Sequence, residues 1–372
     1  MVAGDVAHSL WRALSFAFGM TWEILWALVL GFLLSAIVQA RVSKRAVERL
    51  MPDDSPGSLA TATALGAASS SCSYAAVALA RTLFRKGADF TAAIAFEVAS
   101  TNLVVELGIV MAIVLGWQFT VGEFVGGPLM IAALALLFRA FLTRRLLEEA
   151  RAEAARGRLG SMEGHAEMEM TEISHVYVME WAAVLRDVAA GLLIAGALAA
   201  WVPDSWWRSL FLAGHPAVAK LWGPVVGPAV AMLSFVCSIG NVPLAAVLWN
   251  GGISFGGVIA FVFADLIILP ILDIYRRYYG LRMATFLFVT LYAAMVAAGL
   301  VVGYVFAAIG LVPHGRHAEV ESAAAAVGWN ATTVLDALAL VVSAVLVRRF
   351  FATGGGPMLR MMDKAEHGHA HG

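Results

Sequence analysis

Two cysteines, Cys72 and Cys237, are the soft nucleophiles of this 372-residue chain, and they stand 165 residues apart in matching surroundings. The first lies in Ser69-Ser70-Ser71-Cys72-Ser73. The second opens Cys237-Ser238-Ile239-Gly240-Asn241-Val242-Pro243. Each run interrupts an apolar segment rich in Ala and Gly, so each is read as a break from which a new half-helix starts, at 74–84 and 243–249. A helix N-terminus offers free N–H groups and the positive end of a dipole. A thiol placed there gains thiolate character. Two such thiolates facing one another suit a soft ion or metalloid such as As(III), Cu(I) or Zn(II). A lone free cysteine is more often a small buried hydrophobe. One at each of two matching breaks favours a substrate site, with Ser71, Ser73, Ser238 and Asn241 supplying the polar contacts. Two thiols exclude a disulfide framework and any four-thiolate metal centre.

Acids inside apolar runs form the second group, because charge within a bilayer is costly and is kept for function. Asp265 and Glu106 are read as proton-coupling candidates, with Asn102 one helical turn before Glu106 on the same face. Glu97 is half a turn out of phase with Glu106 and carries less weight. Asp273, beside Arg276 and Arg277, reads as an ion-paired residue. His367, His369 and His371 alternate in the tail, a pattern that can bind Zn, Cu or Ni. None of the nine histidines falls inside an apolar span, which argues against haem ligation and against an intramembrane His-Glu-x-x-His protease. There is no phosphate loop and no Gly-x-Ser-x-Gly elbow, so the chain is read as neither an ATPase nor another enzyme, with no cofactor and no nucleic-acid partner.

The elements that must position these residues are membrane helices. Hydrophobic residues make up 61% of the chain and charged ones 14%, against about 25% charged in soluble domains. Crossing a hydrocarbon core takes about 20 apolar residues. Such runs occur at 19–40, 90–116, 120–143, 181–201, 255–275, 284–309 and 330–347. Residues 41–51 read as a short amphipathic interfacial helix. The N-terminus, with Asp5 and no Lys or Arg before Arg12, does not read as a cleavable signal.

The two broken segments, 58–84 and 221–249, either span or dip in and return. If both are re-entrant and the N-terminus is outside, all of the 25 Lys and Arg except Arg12, Arg208, Lys220 and Arg316 face the cytoplasm. If both span, the bias vanishes. The positive-inside rule therefore selects the re-entrant reading. Gly87 and Gly252, Phe90 and Phe255, and Ile94-Ala95-Phe96 and Ile259-Ala260-Phe261 share the 165-residue offset of the cysteines. The first hairpin enters from the cytoplasmic side and the second from outside. The expected fold is an all-α polytopic membrane protein of two inverted repeats, each with a broken re-entrant hairpin, plus an extra C-terminal transmembrane helix. The expected divisions are a first repeat at 1–143, a polar cytoplasmic insert at 144–179, a second repeat at 180–310, and the extra helix with its His tail at 311–372. Inverted repeats with discontinuous helices are an architecture of secondary transporters.

At its breaks the sequence resembles the predicted permease family that includes the ArsP organoarsenical efflux proteins. Ser70-Ser71-Cys72-Ser73 stands where the family has Cys-Ser-Cys-Ser. Val236-Cys237-Ser238-Ile239-Gly240-Asn241-Val242-Pro243-Leu244 stands where it has Ile-Cys-Ser-Cys-Gly-Thr-Ile-Pro-Leu. Phe84-Arg85-Lys86-Gly87-Ala88 and Ala93-Ile94-Ala95-Phe96 follow the first block, and Gly251-Gly252 and Val258-Ile259-Ala260-Phe261 the second. Each family block carries two cysteines and this chain keeps one. The resemblance implies an ATP-independent permease of the plasma (inner) membrane, and the re-entrant topology makes it multi-pass with its C-terminus cytoplasmic. It would export a soft metal or metalloid species such as trivalent (organo)arsenicals. Copper or zinc efflux, and a passive channel with packing cysteines, stand as alternatives.

Overall fold

The computed structural model describes residues 2–41, 44–69, 73–156, 170–179, 216–234, 238–313 and 331–356, with 181, 182, 185, 189, 193 and 201. Among these the regular structure is helical throughout. The first part of the chain forms α1 (Val2–Arg41), α2 (Lys44–Leu50), α3 (Pro56–Ser69), α4 (Ser73–Arg85), α5 (Phe90–Asn102), α6 (Val105–Val114), α7 (Trp117–Phe141) and α8 (Arg144–Arg156). After the helical stretch 170–179 come α9 (Pro216–Ser234), α10 (Ser238–Asn250) and α11 (Phe255–Val262). A 3-10 turn (Phe263–Ile267), α12 (Leu269–Tyr279), α13 (Leu281–Ala308) and α14 (Ala331–Ala352) complete the described chain.

The 165-residue offset extends to the atoms of the turns. α4 ends with Gly87 N–H donating to Phe84 O at 3.1 Å and Ala88 N–H to Leu83 O at 3.0 Å; α10 ends with Gly252 N–H to Trp249 O and Ile253 N–H to Leu248 O, both at 3.1 Å. Both closures need a left-handed residue, and both have glycine, at φ 100° for Gly87 and 111° for Gly252, where a Cβ would be strained. The next helices are then capped at equivalent places. Asp89 accepts from the Thr91 and Ala92 amides, and Ser254 from the Gly257 amide. Packing repeats too: α3 lies on α5 as α9 lies on α11, and α6 on α7 as α12 on α13.

Two runs read as continuous spans are broken. Within 90–116, α5 stops at Asn102 and the extended Val104 precedes α6. Ser100, Thr101 and Asn102 turn their side chains back onto the carbonyls of Glu97 and Val98, which diverts the local backbone and bends a helix. Within 255–275, the chain tightens into the 3-10 turn and passes through extended Ile268. It restarts with Pro270 in the first turn of α12, where proline lacks nothing the helix needs. The two arms meet at 44°. Among the described residues, Trp117–Phe141 and Leu281–Ala308 are each long and apolar enough to cross a membrane, and the bent pair adds a third.

At one end of the molecule, Arg282 at the start of α13 pairs with Glu149 of α8 at 3.2 Å. Arg81, near the end of α4, donates to Ala154 O of α8 at 3.2 Å, and Phe84 meets the Tyr279 ring. At the other end, Trp249 and Gly252 from the end of α10 line a cavity of about 280 Å³ with Lys220, Ser254, Tyr304 and Ala307. α13 separates the two ends by 28 residues, about 42 Å of helix. Outside the pattern, α14 docks on α1, where Asp336 accepts from the Trp26 amide at 2.9 Å. Its Ser343 also meets Tyr177 Oη at 2.6 Å.

Candidate substrate site at the junction of the broken segments

The structure begins α4 at Ser73 and α10 at Ser238. The second half-helix therefore starts five residues before the sequence reading of 243, so Ser238 to Pro243 are helical. Cys72, Cys237 and Ser71 fall outside the described residues, as do His367, His369 and His371. What is described is the position immediately after each cysteine. Ser73 Oγ and Ser238 Oγ lie 3.4 Å apart. The two half-helices thus start side by side.

Both serines converge on one carboxylate. Ser73 Oγ donates to Asp265 Oδ2 at 2.6 Å, and Ser238 Oγ donates to the same oxygen. Ser73 and Asp265 are wholly buried and Ser238 nearly so. Asp265 sits in the 3-10 turn that closes α11, which re-aims it from the helix line toward the tips of α4 and α10. Two helix N-termini thereby face one carboxyl group, and such ends attract negative charge. Asn102, the last residue of α5, lies beside Asp265. Asn241 is one turn along α10 from Ser238, wholly buried. Both polar atoms of its side chain lack a hydrogen-bond partner, as do Asp265 Oδ1 and Asn102 Oδ1. A buried polar atom left unpaired costs about 1–3 kcal/mol, so the junction holds unspent hydrogen-bonding capacity. Among the described residues no three His, Cys, Asp or Glu side chains are grouped to hold a metal ion.

Of the predicted residues, then, Ser73, Ser238, Asp265 and Asn102 come together, and Asn241 lies buried near them on α10. Glu106 falls in α6, and its side chain lies outside the described set. Glu97, given less weight in the sequence, is wholly buried and accepts a hydrogen bond from Tyr275 Oη. Glu123, on α7, was missed. It is wholly buried with both oxygens unpartnered, close enough to Asp265 for their charges to interact. The signal was present, since Glu123 is the one acid in Trp117–Phe141. Tyr275 had no sequence signal. Asp273 pairs with Arg276 at 2.7 Å and also with Arg277. Outside the spans, the Arg145 and Arg282 guanidiniums hold the Glu149 carboxyl below its ordinary range against the effect of burial, Arg145 foremost.

Residues 9–304 match the family described as predicted permease, ArsP_1. A protein of Mycobacterium tuberculosis named "Putative permease Rv2963" is 59% identical over 341 residues, covering 86% of this chain and 84% of its own. No solved structure matches the chain. The family match takes in every residue of the junction and stops short of α14, and with the relative's identity it fixes the membership: this chain belongs to the ArsP_1 family of predicted permeases, and is a membrane permease.

Proposed function

We propose that the chain is an ATP-independent secondary permease whose substrate passes between the tips of α4 and α10. The observation that carries this reading is the meeting of Ser73 and Ser238 on Asp265. It brings the residues after both cysteines to one buried point. Cys72 and Cys237, each one residue away, are the proposed soft ligands, with Ser71, Ser73, Ser238 and Asn241 as polar contacts. Asp265, Glu106 and Asn102 are the proposed proton-coupling groups. The substrate class is a soft metal or metalloid, foremost a trivalent (organo)arsenical, exported across the plasma membrane.

We further propose that the two halves, 1–143 and 180–310, are inverted in the bilayer. What supports this is the run of the half-helices. From adjacent starts, α4 ends beside α8 and the beginning of α13, and α10 ends beside Tyr304 and Ala307 at the other end of α13. Discontinuous helices meeting mid-molecule between opposed repeats are how secondary transporters build a midplane site, and irregular backbone at that depth persists where protein or a wet cavity surrounds it. The segment 144–179 is the proposed cytoplasmic connection, and α14 an appended span.

The test is arsenic, copper and zinc content in cells expressing the wild type, Cys72→Ser or Cys237→Ser. The expected result is lowered content of one element in the wild type, with the effect cut about tenfold or more by either substitution, since each decade is about 1.4 kcal/mol of ligand binding and a metalloid held by two thiolates loses one. Content lowered equally by all three would make the cysteines packing residues and favour the channel alternative. Content unchanged by the wild type would overturn the substrate class.

A further inference from the structure

The buried contacts between the two halves are reciprocal. Asp265 of the second half accepts from Ser73 of the first, and Glu97 of the first accepts from Tyr275 of the second. The second contact is not a by-product of the repeat. At the 165-residue offset, Glu97 corresponds to Val262 and Tyr275 to Val110, so both polar groups are additions to an otherwise apolar scaffold. Glu97 and Tyr275 are wholly buried and Tyr279 nearly so. Glu97 Oε2 and Tyr279 Oη have no hydrogen-bond partner. Tyr275 and Tyr279 stack along one face of α12, ring centroids 6.4 Å apart.

The titratable groups facing Glu97 are Tyr275 and Tyr279 of α12 and Asp265 of the 3-10 turn. α3, packed on α5, has no titratable residue. α7 contributes the buried Glu123, and on α4 Arg81 is directed at the Tyr278–Tyr279 end, its guanidinium 4.1 Å from the Tyr278 ring centroid. None of the groups facing Glu97 is a cation. Its charge is therefore compensated by one hydroxyl, and the remaining stabiliser available to it is a proton.

We propose that Glu97 and Tyr275 form a proton-binding clasp between the two halves, in which Glu97 takes the proton and Tyr275 is the positioning residue. The inference rests on the permease reading above and adds, beside the coupling groups proposed there, a proton-binding pair outside the serine junction. A phenol donating to a carboxylate makes a charge-assisted hydrogen bond, roughly twice as strong as one between neutral groups. Adding one proton to Glu97 leaves a neutral acid facing Tyr275. The bond weakens, and the halves are freed to move against each other. Loss of that proton re-forms the clasp.

The experiment is infrared titration of the carboxylic-acid band of the purified full-length chain in lipid, for wild type, Glu97→Gln and Tyr275→Phe. It uses the proton alone as probe and needs no transported substrate, so a wrong substrate class leaves it intact. The expected result is a titrating carboxylic-acid component in the wild type that disappears in Glu97→Gln. In Tyr275→Phe it is retained with its midpoint displaced by about one pH unit, the displacement that one lost hydrogen bond is worth. Should Glu97→Gln not fold, the Tyr275→Phe displacement decides alone. No titrating component in the wild type, a component undiminished in Glu97→Gln, or a midpoint unmoved in Tyr275→Phe would each overturn the proposal.

Discussion

Ser73 and Ser238 share a single oxygen of Asp265, and that sharing makes their contributions interdependent. With one serine removed, the other still satisfies Oδ2. With both removed, the carboxyl is left buried without those two donors. Each of Ser73→Ala and Ser238→Ala is expected to cost about 1 kcal/mol. The double variant should exceed the sum by about 0.5–3 kcal/mol, the range for residues sharing one network. Denaturant unfolding in detergent micelles checks this, and strict additivity would mean that the two donors act separately. At this scale the junction was largely legible. A serine after each cysteine, at one offset, marked the pair, and an acid in an apolar span marked Asp265. The phase of Glu97 against Glu106 holds only on one continuous helix, and the break at Leu103–Val104 resets it. Tyr275 was invisible because an aromatic residue on an apolar helix face reads as core until its hydroxyl is seen to meet a carboxyl.

Elements are held at their crossings by the absence of side chains. Where α11 crosses α13, a Cβ on Gly256 would stand 2.2 Å from Gly299 O, and one on Gly299 would stand 2.6 Å from Gly256 O. Backbone meets backbone there, the close approach that small residues permit between membrane helices. Gly256→Leu must push the helices apart, and with them the 3-10 turn that carries Asp265. It is expected to destabilise by about 1–3 kcal/mol or more. Gly57→Ala, with nothing within 4 Å, should stay within about 0.5 kcal/mol. Thermal melting of both variants measures the contrast, and equal melting would refute the tight crossing. That separate helices flank each cysteine run was readable from composition. The breaks after Asn102 and at Ile268 were not, because each interrupts a run that is apolar enough to read as one span. Back-bonding by three consecutive polar residues decides the first, and Pro270 in the first turn of α12 accompanies the second.

For the whole molecule, the offset of 165 residues was written in the sequence, and the atoms of the turns follow it, from the glycine closures to the helix caps. For relative orientation the sequence offers only the distribution of Lys and Arg, since hydropathy carries no sign of direction. The central claim is that two opposed halves meet at Ser73 and Ser238. Single-cysteine labelling tests it most directly. In a Cys72→Ser, Cys237→Ser background, Lys86→Cys and Gly251→Cys mark the ends of α4 and α10 at equivalent positions. Sealed vesicles of known sidedness are treated with a membrane-impermeant maleimide. The account predicts that Lys86→Cys is labelled only from the cytoplasmic side and Gly251→Cys only from the outside. Labelling of both from the same side would contradict it.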